Sequence, residues 1–338
     1  NRRRLGRWGK LESGGISKYR GAVGSDKGMN CLIAIVGPTS VGKSALAIRL
    51  AQIFDGEIVS ADSRQVYHYM DIGTAKPSRE ERALVPHYLI DVIDPDEDFS
   101  LAVYQEMAYQ AVEDIHRRGK LALLVGGSGL YVQAVIGGFK IPQVTPNPEL
   151  RQSLEEKAAD EGYMALHKEL EQVDPDAARK IDPRNVRRVI RALEVCHITG
   201  LPFSQLQMSE PLFQTLVIGL TTDREDLYRR IDDRVDSMIE QGLVQEIQSL
   251  LERGYSFDLP SMSGLGYNQI EQYLQGKVEL DTVVQHIKYE IHRFARHQYA
   301  WFRPRDESIH WFDIRNGVEK PIRDLVQEFL RDREKVKI

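Results

Sequence analysis

The sequence predicts an α/β fold: a parallel sheet flanked by helices, interrupted once by a helical insertion. Three observations carry this. Short apolar runs at 31–36, 57–60, 121–125 and 216–220 alternate with helix-forming stretches, the pattern that parallel sheets produce. The first run opens directly into Gly37-Pro38-Thr39-Ser40-Val41-Gly42-Lys43-Ser44, of the form G-x-x-x-x-G-K-[ST], and a helical stretch leaves it. From Pro142 strand signals stop and the chain becomes helical and charged to about Gln207. Together these define a P-loop NTPase-like sheet, with 29–141 and 211–338 as the core and 142–210 as the insertion.

The elements follow in order. Residues 1–28 carry Arg2, Arg3, Arg4, Arg7 and Lys10 ahead of a Gly/Ser-rich stretch with no apolar block, so they read as a disordered or non-native leader. Met29 stands at the start of the expected folded unit. After the glycine-rich loop, 57–60 is a short buried strand ending at Asp62-Ser63-Arg64-Gln65-Val66-Tyr67. Residues 71–77 hold too much Gly and Pro for either regular element. A strand is expected over 87–93. Ser100 caps a helix running to Arg118, and Gly119 stops it. The strand 121–125 leads into Gly126-Gly127-Ser128-Gly129-Leu130-Tyr131. Thr145-Pro146-Asn147-Pro148 opens the insertion. The strand 216–220 precedes a helix capped by Asp223, and 309–312 forms the last strand.

Composition narrows the class. The chain has 338 residues, 42% hydrophobic and 28% charged, which suits a water-soluble globular protein with about two domains. The apolar runs are strand-length, too short for a membrane helix. A formal net charge of −5 argues against indiscriminate nucleic-acid binding while allowing a local basic surface. Cys31 and Cys196 form no C-x-x-C pair, so we expect reduced thiols, a cytoplasmic setting and no zinc site.

The glycine-rich loop lets successive N–H groups face one point. The helix N-terminus and Lys43 add positive charge there, and Ser44 offers a hydroxyl to Mg²⁺. A di- or triphosphate is therefore the expected ligand. Asp62, at a strand's carboxyl end beside this loop, suits a general base, a metal's outer shell or a helix cap for Gln65 and Val66. Arg179, Lys180, Arg184, Arg187, Arg188 and Arg191 crowd the insertion with Asp182 as the only acid among them. Lys288, Arg293, Arg296, Arg303 and Arg305 interleave with aromatics, a mixture that suits RNA, although Ile287, Ile291, Phe294 and Gln298 trace an ordinary core stripe. His286, His292 and His297 read as surface or RNA-facing. Arg230 and Arg234, four apart on the helix after Asp223, can face one site, or can be neutralised by Asp226, Asp232 and Asp233.

In sum these segments resemble the bacterial tRNA dimethylallyltransferase family. The likeness rests on Gly37-Pro38-Thr39…Gly42-Lys43-Ser44, Asp62-Ser63-Arg64-Gln65-Val66-Tyr67, Met70-Asp71-Ile72-Gly73-Thr74-Ala75-Lys76-Pro77 and Gly126-Gly127-Ser128-Gly129-Leu130-Tyr131. It continues through Arg188…Arg191-Ala192-Leu193-Glu194, Gly266-Tyr267 and Arg296-His297-Gln298…Trp301-Phe302-Arg303. The resemblance implies transfer of a dimethylallyl group from dimethylallyl diphosphate to N6 of the adenosine 3′ of a tRNA anticodon. It implies Asp62 as the base, with Lys43 and Arg234 steadying the leaving diphosphate held by residues 37–44, and Mg²⁺ on Ser44. It implies tRNA contacts at Asp62, Ser63, Arg64, Gln65, Ser128, Arg151, Arg187, Arg188, Val189, Ile190 and Arg191, and at Ser263, Gly264, Leu265, Gly266, Tyr267 and Asn268. The insertion would then hold the anticodon stem-loop, and a monomer is expected. The chain departs from the family in Ser128 for Thr, in Ser40-Val41 for Ala-Ser, and in a 263–268 stretch without the basic residues some relatives carry.

Two other classes use the same loop. A nucleotide or small-molecule kinase would place ATP there, with the insertion as a lid. A nucleotide-dependent RNA-binding switch would bind without chemistry, and a prenyltransferase acting on AMP is the nearest rival within the reaction type.

Overall fold

The computed structural model describes residues 31–335 except 143, 145–146 and 207–209; the leader, Met29 and Thr145-Pro146 lie outside the described residues. Its elements are β1 (Cys31–Val36), α1 (Lys43–Ile53), β2 (Gly56–Ser60), α2 (Arg79–Leu84), β3 (His87–Tyr88), α3 (Leu101–Arg117), β4 (Leu121–Val125) and α4 (Gly129–Ile136). Then come α5 (Pro148–Asp160), α6 (Tyr163–Val173), α7 (Pro175–Lys180), α8 (Val186–Thr199) and α9 (Phe203–Leu206). The chain continues with β5 (Gln214–Thr221), α10 (Arg224–Glu240), α11 (Leu243–Glu252), α12 (Tyr267–Leu274), α13 (Leu280–Trp301), β6 (Ile309–Asp313) and α14 (Glu319–Lys335).

The strands pair in the order β3-β2-β4-β1-β5-β6, all parallel. β1 is central and buried along its whole length because it is apolar on both faces. Its alternation sends Leu32, Ala34 and Val36 into one core layer with Tyr104, Ala108 and Val112 of α3. Ile33 and Ile35 enter the other, with Leu46 and Leu50 of α1 and Ile322 and Val326 of α14. A third cluster joins Val66 and Met70 to α10, α11, α12 and α13. Caps fall where residue chemistry places them. Ser100 accepts from the Val103 N–H, and Asp223 from the Asp226 N–H.

One strand is shorter than expected. Residues 87–93 are apolar enough for a full strand, but Leu89 and Asp91 take φ of 62° and 53°, which breaks the extended run after Tyr88. The Asp91 N–H turns to the Gln65 carbonyl, and Ile93 returns only to a single bridge with Tyr67.

The described residues fall into two compact units, one within 139–210 and the other formed by 31–138 with 211–335. The smaller is a helical cluster whose core includes Leu154, Leu166, Leu170, Val189, Ile190 and Leu193.

Candidate active site

The carboxyl ends of β1, β2, β4 and β5 carry the loops that matter, as they do in open parallel sheets generally. At the end of β1, Gly37 has φ of 138°, and a Cβ there would stand 2.4 Å from the Leu220 carbonyl oxygen; only glycine fits. Ser40 and Gly42 also take positive φ, and together they curl the loop. None of the N–H groups of Ser40 to Ala45 meets an acceptor among the described residues. The Ser40 hydroxyl is buried and equally unpartnered. A concave run of open donors at a helix N-terminus is a nest for an anion.

Cations surround it. Lys43 Nζ donates to the Pro38 carbonyl at 2.6 Å. Its pKa is lowered to about 7, chiefly by burial and next by the repulsion of Arg234, with Asp62 opposing both. Arg234 Nη1 donates to Thr39 Oγ1 at 3.2 Å, and burial lowers the pKa of that guanidinium too, against the pull of Asp62. Two cations held close with a single carboxylate for company repel each other until an anion arrives. Such perturbation by burial and charge marks functional sites more often than structural ones.

Arg230 does not share this place. Its Nε donates to Asp226 Oδ2 at 2.7 Å, and Arg229 is tied to the same carboxylate. The four-residue spacing allowed a common face, but Asp226 captures Arg230 and leaves Arg234 alone over the loop.

Asp62 caps no helix, since none begins within residues 61–70; its Oδ1 accepts from the Arg64 N–H at 2.8 Å, and Gln65 and Val66 are not served. Oδ2 makes no hydrogen bond among the described residues. Beside it, the Ser63 N–H donates to Ser128 Oγ at 3.0 Å. Arg64 reaches across to the 260–263 turn, donating to the Pro260 and Ser261 carbonyls and to Ser263 Oγ. The structure thus brings Asp62, Ser63, Arg64, Ser128 and Ser263 together.

Other sequence-predicted contacts sit differently. Gln65 spends its amide inside the fold, accepting from Ser60 Oγ and donating to the Thr74 and Ala75 carbonyls. Tyr267, Gly264 and Gly266 are buried, while Ser263 and Asn268 are exposed and Leu265 is half-buried. In the smaller unit Val189 and Ile190 belong to the core. Arg151 grips buried Glu194 through two bonds at 2.8 and 2.9 Å, and Arg191 joins it at 2.5 Å. Burial alone would raise the Glu194 pKa, but these arginines and the Asn147 N–H hold it below the usual value. Arg187 and Arg188 are exposed and have no carboxylate partner among the described residues, so both are open to an outside anion.

On α13 the expected core stripe is also revised. Ile287 and Gln298 are buried, but Phe294 is 41% exposed and Ala295 takes the inner position. His292 is half-buried rather than surface-facing, stacked on Tyr228 with ring centroids 4.0 Å apart and 2.8 Å from Asp232.

Sequence reasoning passed over two positioning groups. Glu246 accepts the N–H groups of Asp71, Ile72 and Gly73 and the Tyr267 hydroxyl, pinning the 71–77 loop. Lys76, only 2% exposed, completes that loop through Asp71, Asp91 and the Tyr67 carbonyl. A Gly/Pro-rich segment shows no periodicity, so only an unexplained Glu and Lys hinted at this.

Fold and site together define a phosphate-loop enzyme of the α/β class, with two cations at an anion nest and a carboxylate close enough to act on both. Comparison with known proteins makes this specific. The family model described as IPP transferase matches residues 65–305, and the chain belongs to that family. It is 57% identical over 273 residues to the tRNA dimethylallyltransferase of Roseiflexus castenholzii, covering 80% of this chain and 89% of that one. The corresponding protein of Thermomicrobium roseum is 51% identical over 303 residues, covering 89% and 92%. Among solved structures, the full-length tRNA isopentenylpyrophosphate transferase of Bacillus halodurans is 41% identical with a TM-score of 0.68, over 91% of this chain and 99% of that one. A eukaryotic dimethylallyltransferase described as acting on tRNA has a TM-score of 0.73 at 31% identity, over 84% and 74%.

Proposed function

We propose that this protein transfers the dimethylallyl group of dimethylallyl diphosphate to N6 of the adenosine 3′-adjacent to a tRNA anticodon. The observation that carries this is a phosphate loop that holds Lys43 and Arg234 through Pro38 and Thr39, with Asp62 just past the end of β2 acting on both cations, within a chain of the IPP transferase family. A prenyl transfer needs a receiver for the departing diphosphate's charge on one side and a proton acceptor on the other. The open N–H groups of residues 40–45 with Lys43 and Arg234 supply the first. Asp62 supplies the second, with Oδ2 free while Oδ1 is held by the Arg64 N–H.

The adenine amine is a poor nucleophile because its lone pair is delocalised into the ring. Hydrogen-bonded to Asp62, it gains electron density as the allylic C–O bond breaks. The N–C bond forms, the amine proton passes to the carboxylate, and the electron pair of the broken bond leaves on the diphosphate. Reaching this site requires the base to leave its stack, at roughly a few kcal/mol. Ser63, Arg64, Ser128 and Ser263 line the place beside Asp62 where it would arrive.

Mg²⁺ fits the residues present. Among the described residues no three acidic or His/Cys ligands cluster, so a metal would be held by diphosphate oxygens and water with the Ser44 hydroxyl as its protein ligand. When bound it would neutralise part of the diphosphate's charge. Exposed Arg187 and Arg188 suit the phosphates of the anticodon stem-loop. The loop, Asp62 and Arg234 come from one chain, so a monomer suffices. Cytoplasm is the setting we assign; no helix of the described residues is long and apolar enough to cross a membrane.

The test is to supply labelled dimethylallyl diphosphate, Mg²⁺ and unmodified tRNA, with AMP and ATP in parallel reactions. Label entering tRNA but not AMP supports the assignment. Label entering AMP instead, or phosphate drawn from ATP without RNA labelling, overturns it.

A further inference from the structure

We infer that Gln298 is a positioning residue that fixes the distance between the leaving-group loop and the loop beside the acceptor base. The inference rests on the reaction proposed above and concerns a side chain not yet given a part in it. Gln298 is 4% exposed on the inner face of α13, near Ala295 and Phe302, where an amide is costly unless both its ends are satisfied.

Both are. The Thr39 N–H donates to Gln298 Oε1 at 2.8 Å, and Gln298 Nε2 donates to the Gly127 carbonyl at 3.0 Å. The partners themselves fix the orientation of the amide, because a backbone N–H only donates and a carbonyl only accepts. Gly127 is shaped for this, since a Cβ there would stand 2.2 Å from Nε2.

What the amide joins gives it a functional meaning. Thr39 lies in the diphosphate loop, and its hydroxyl receives Arg234. Gly127 precedes Ser128, whose hydroxyl receives the Ser63 N–H next to Asp62. One side chain therefore ties the group that steadies the leaving diphosphate to the group that orients the acceptor. It also takes up the Thr39 N–H, turning that residue so the following N–H groups stay open. Displacement at carbon needs nucleophile and leaving group in line, and an error of about 1 Å costs roughly 10²-fold in rate.

The test uses the full-length enzyme with Gln298→Met, which keeps the volume and removes both bonds, and Gln298→Glu, which keeps the acceptor and loses the donor. Expected for Gln298→Met is a single-turnover rate down about 10²-fold, with tRNA affinity within a few-fold of wild type. Gln298→Glu should lose at least as much at pH 8, where a buried carboxylate meets the Gly127 carbonyl, and its rate relative to wild type should recover as pH falls from 8 to 6, because burial raises the carboxyl's pKa and the protonated form again donates to Gly127. If Gln298→Met does not fold, that pH recovery decides the matter alone. A melting-temperature drop with unchanged rates, a loss matched by equal loss of tRNA affinity, or a Glu variant with no pH recovery would each overturn the role. A wild-type protein that transfers no prenyl group would remove the reaction itself, and this inference with it.

Discussion

Replacing Asp62 by Asn separates the chemistry of this site from its architecture. Asn Oδ1 can still accept the Arg64 N–H that Asp62 holds at 2.8 Å, so the turn before Ser63 and its contact with Ser128 should survive. What disappears is the proposed proton acceptor and a negative charge that acts on two cations. Loss of a general base costs about 10²–10⁴ in rate, roughly 3–5 kcal/mol of transition-state stabilisation. Loss of the charge acts separately. Asp62 is the one group holding the Lys43 pKa up toward 7, so in the variant Lys43 sheds its proton at lower pH. The variant should therefore lose most at pH 8, and its deficit at pH 6 should approach that of the missing base alone. Single-turnover transfer into tRNA, with tRNA binding measured in parallel, gives both numbers. A rate within about tenfold of wild type at both pH values would refute Asp62 as base. A fall in affinity equal to the fall in rate would make it an RNA anchor.

Arg234→Lys should lower turnover by about 10²-fold, since one compact ammonium cannot reproduce a guanidinium placed against a departing oxyanion. Arg230→Ala should leave the KM for dimethylallyl diphosphate within about twofold, because Asp226 already holds that guanidinium away from the loop. Above pH 7 free Lys43 is largely deprotonated, and a bound anion raises its pKa. Calorimetry in buffers of different ionisation enthalpy should therefore show that the wild type takes up more protons than Lys43→Met on binding inorganic diphosphate at pH 8. The difference should vanish toward pH 5.5, where Lys43 is already charged; a pH-independent difference would contradict the assignment. Glu246→Ala strands three N–H groups and the Tyr267 hydroxyl, so urea unfolding should show a loss of about 2–4 kcal/mol, and a loss under about 0.5 would mean water replaces the carboxylate.

The sheet was legible because its strands are short, apolar and separated by helices with identifiable caps. Ser100 and Asp223 cap the helices they were expected to cap. The glycine-rich loop and Asp62 stood out because few other arrangements need those residues at strand ends. The break after Tyr88 was not legible, because positive φ at Leu89 and Asp91 answers to a long-range bond with Gln65 and not to local pattern. Spacing alone could not part Arg230 from Arg234, since both suit one face until Asp226, one turn before Arg230, is seen to hold it. Gln298 was hidden for the opposite reason. It sits at a position a helix normally gives to an apolar residue, and only its partners 259 and 171 residues away show why an amide is there.

In the proposed reaction the anion nest holds a prenyl donor, and the nucleoside at this site comes from RNA. The most direct measurement is to react tRNA transcripts with dimethylallyl diphosphate and identify the product nucleoside by digestion and mass spectrometry. One transcript carries adenosine 3′ of the anticodon, and the other carries guanosine there. N6-(dimethylallyl)adenosine is expected from the first, at that position, and no modified nucleoside from the second. Equal modification of both transcripts, or none of either with ATP consumed instead, would contradict it.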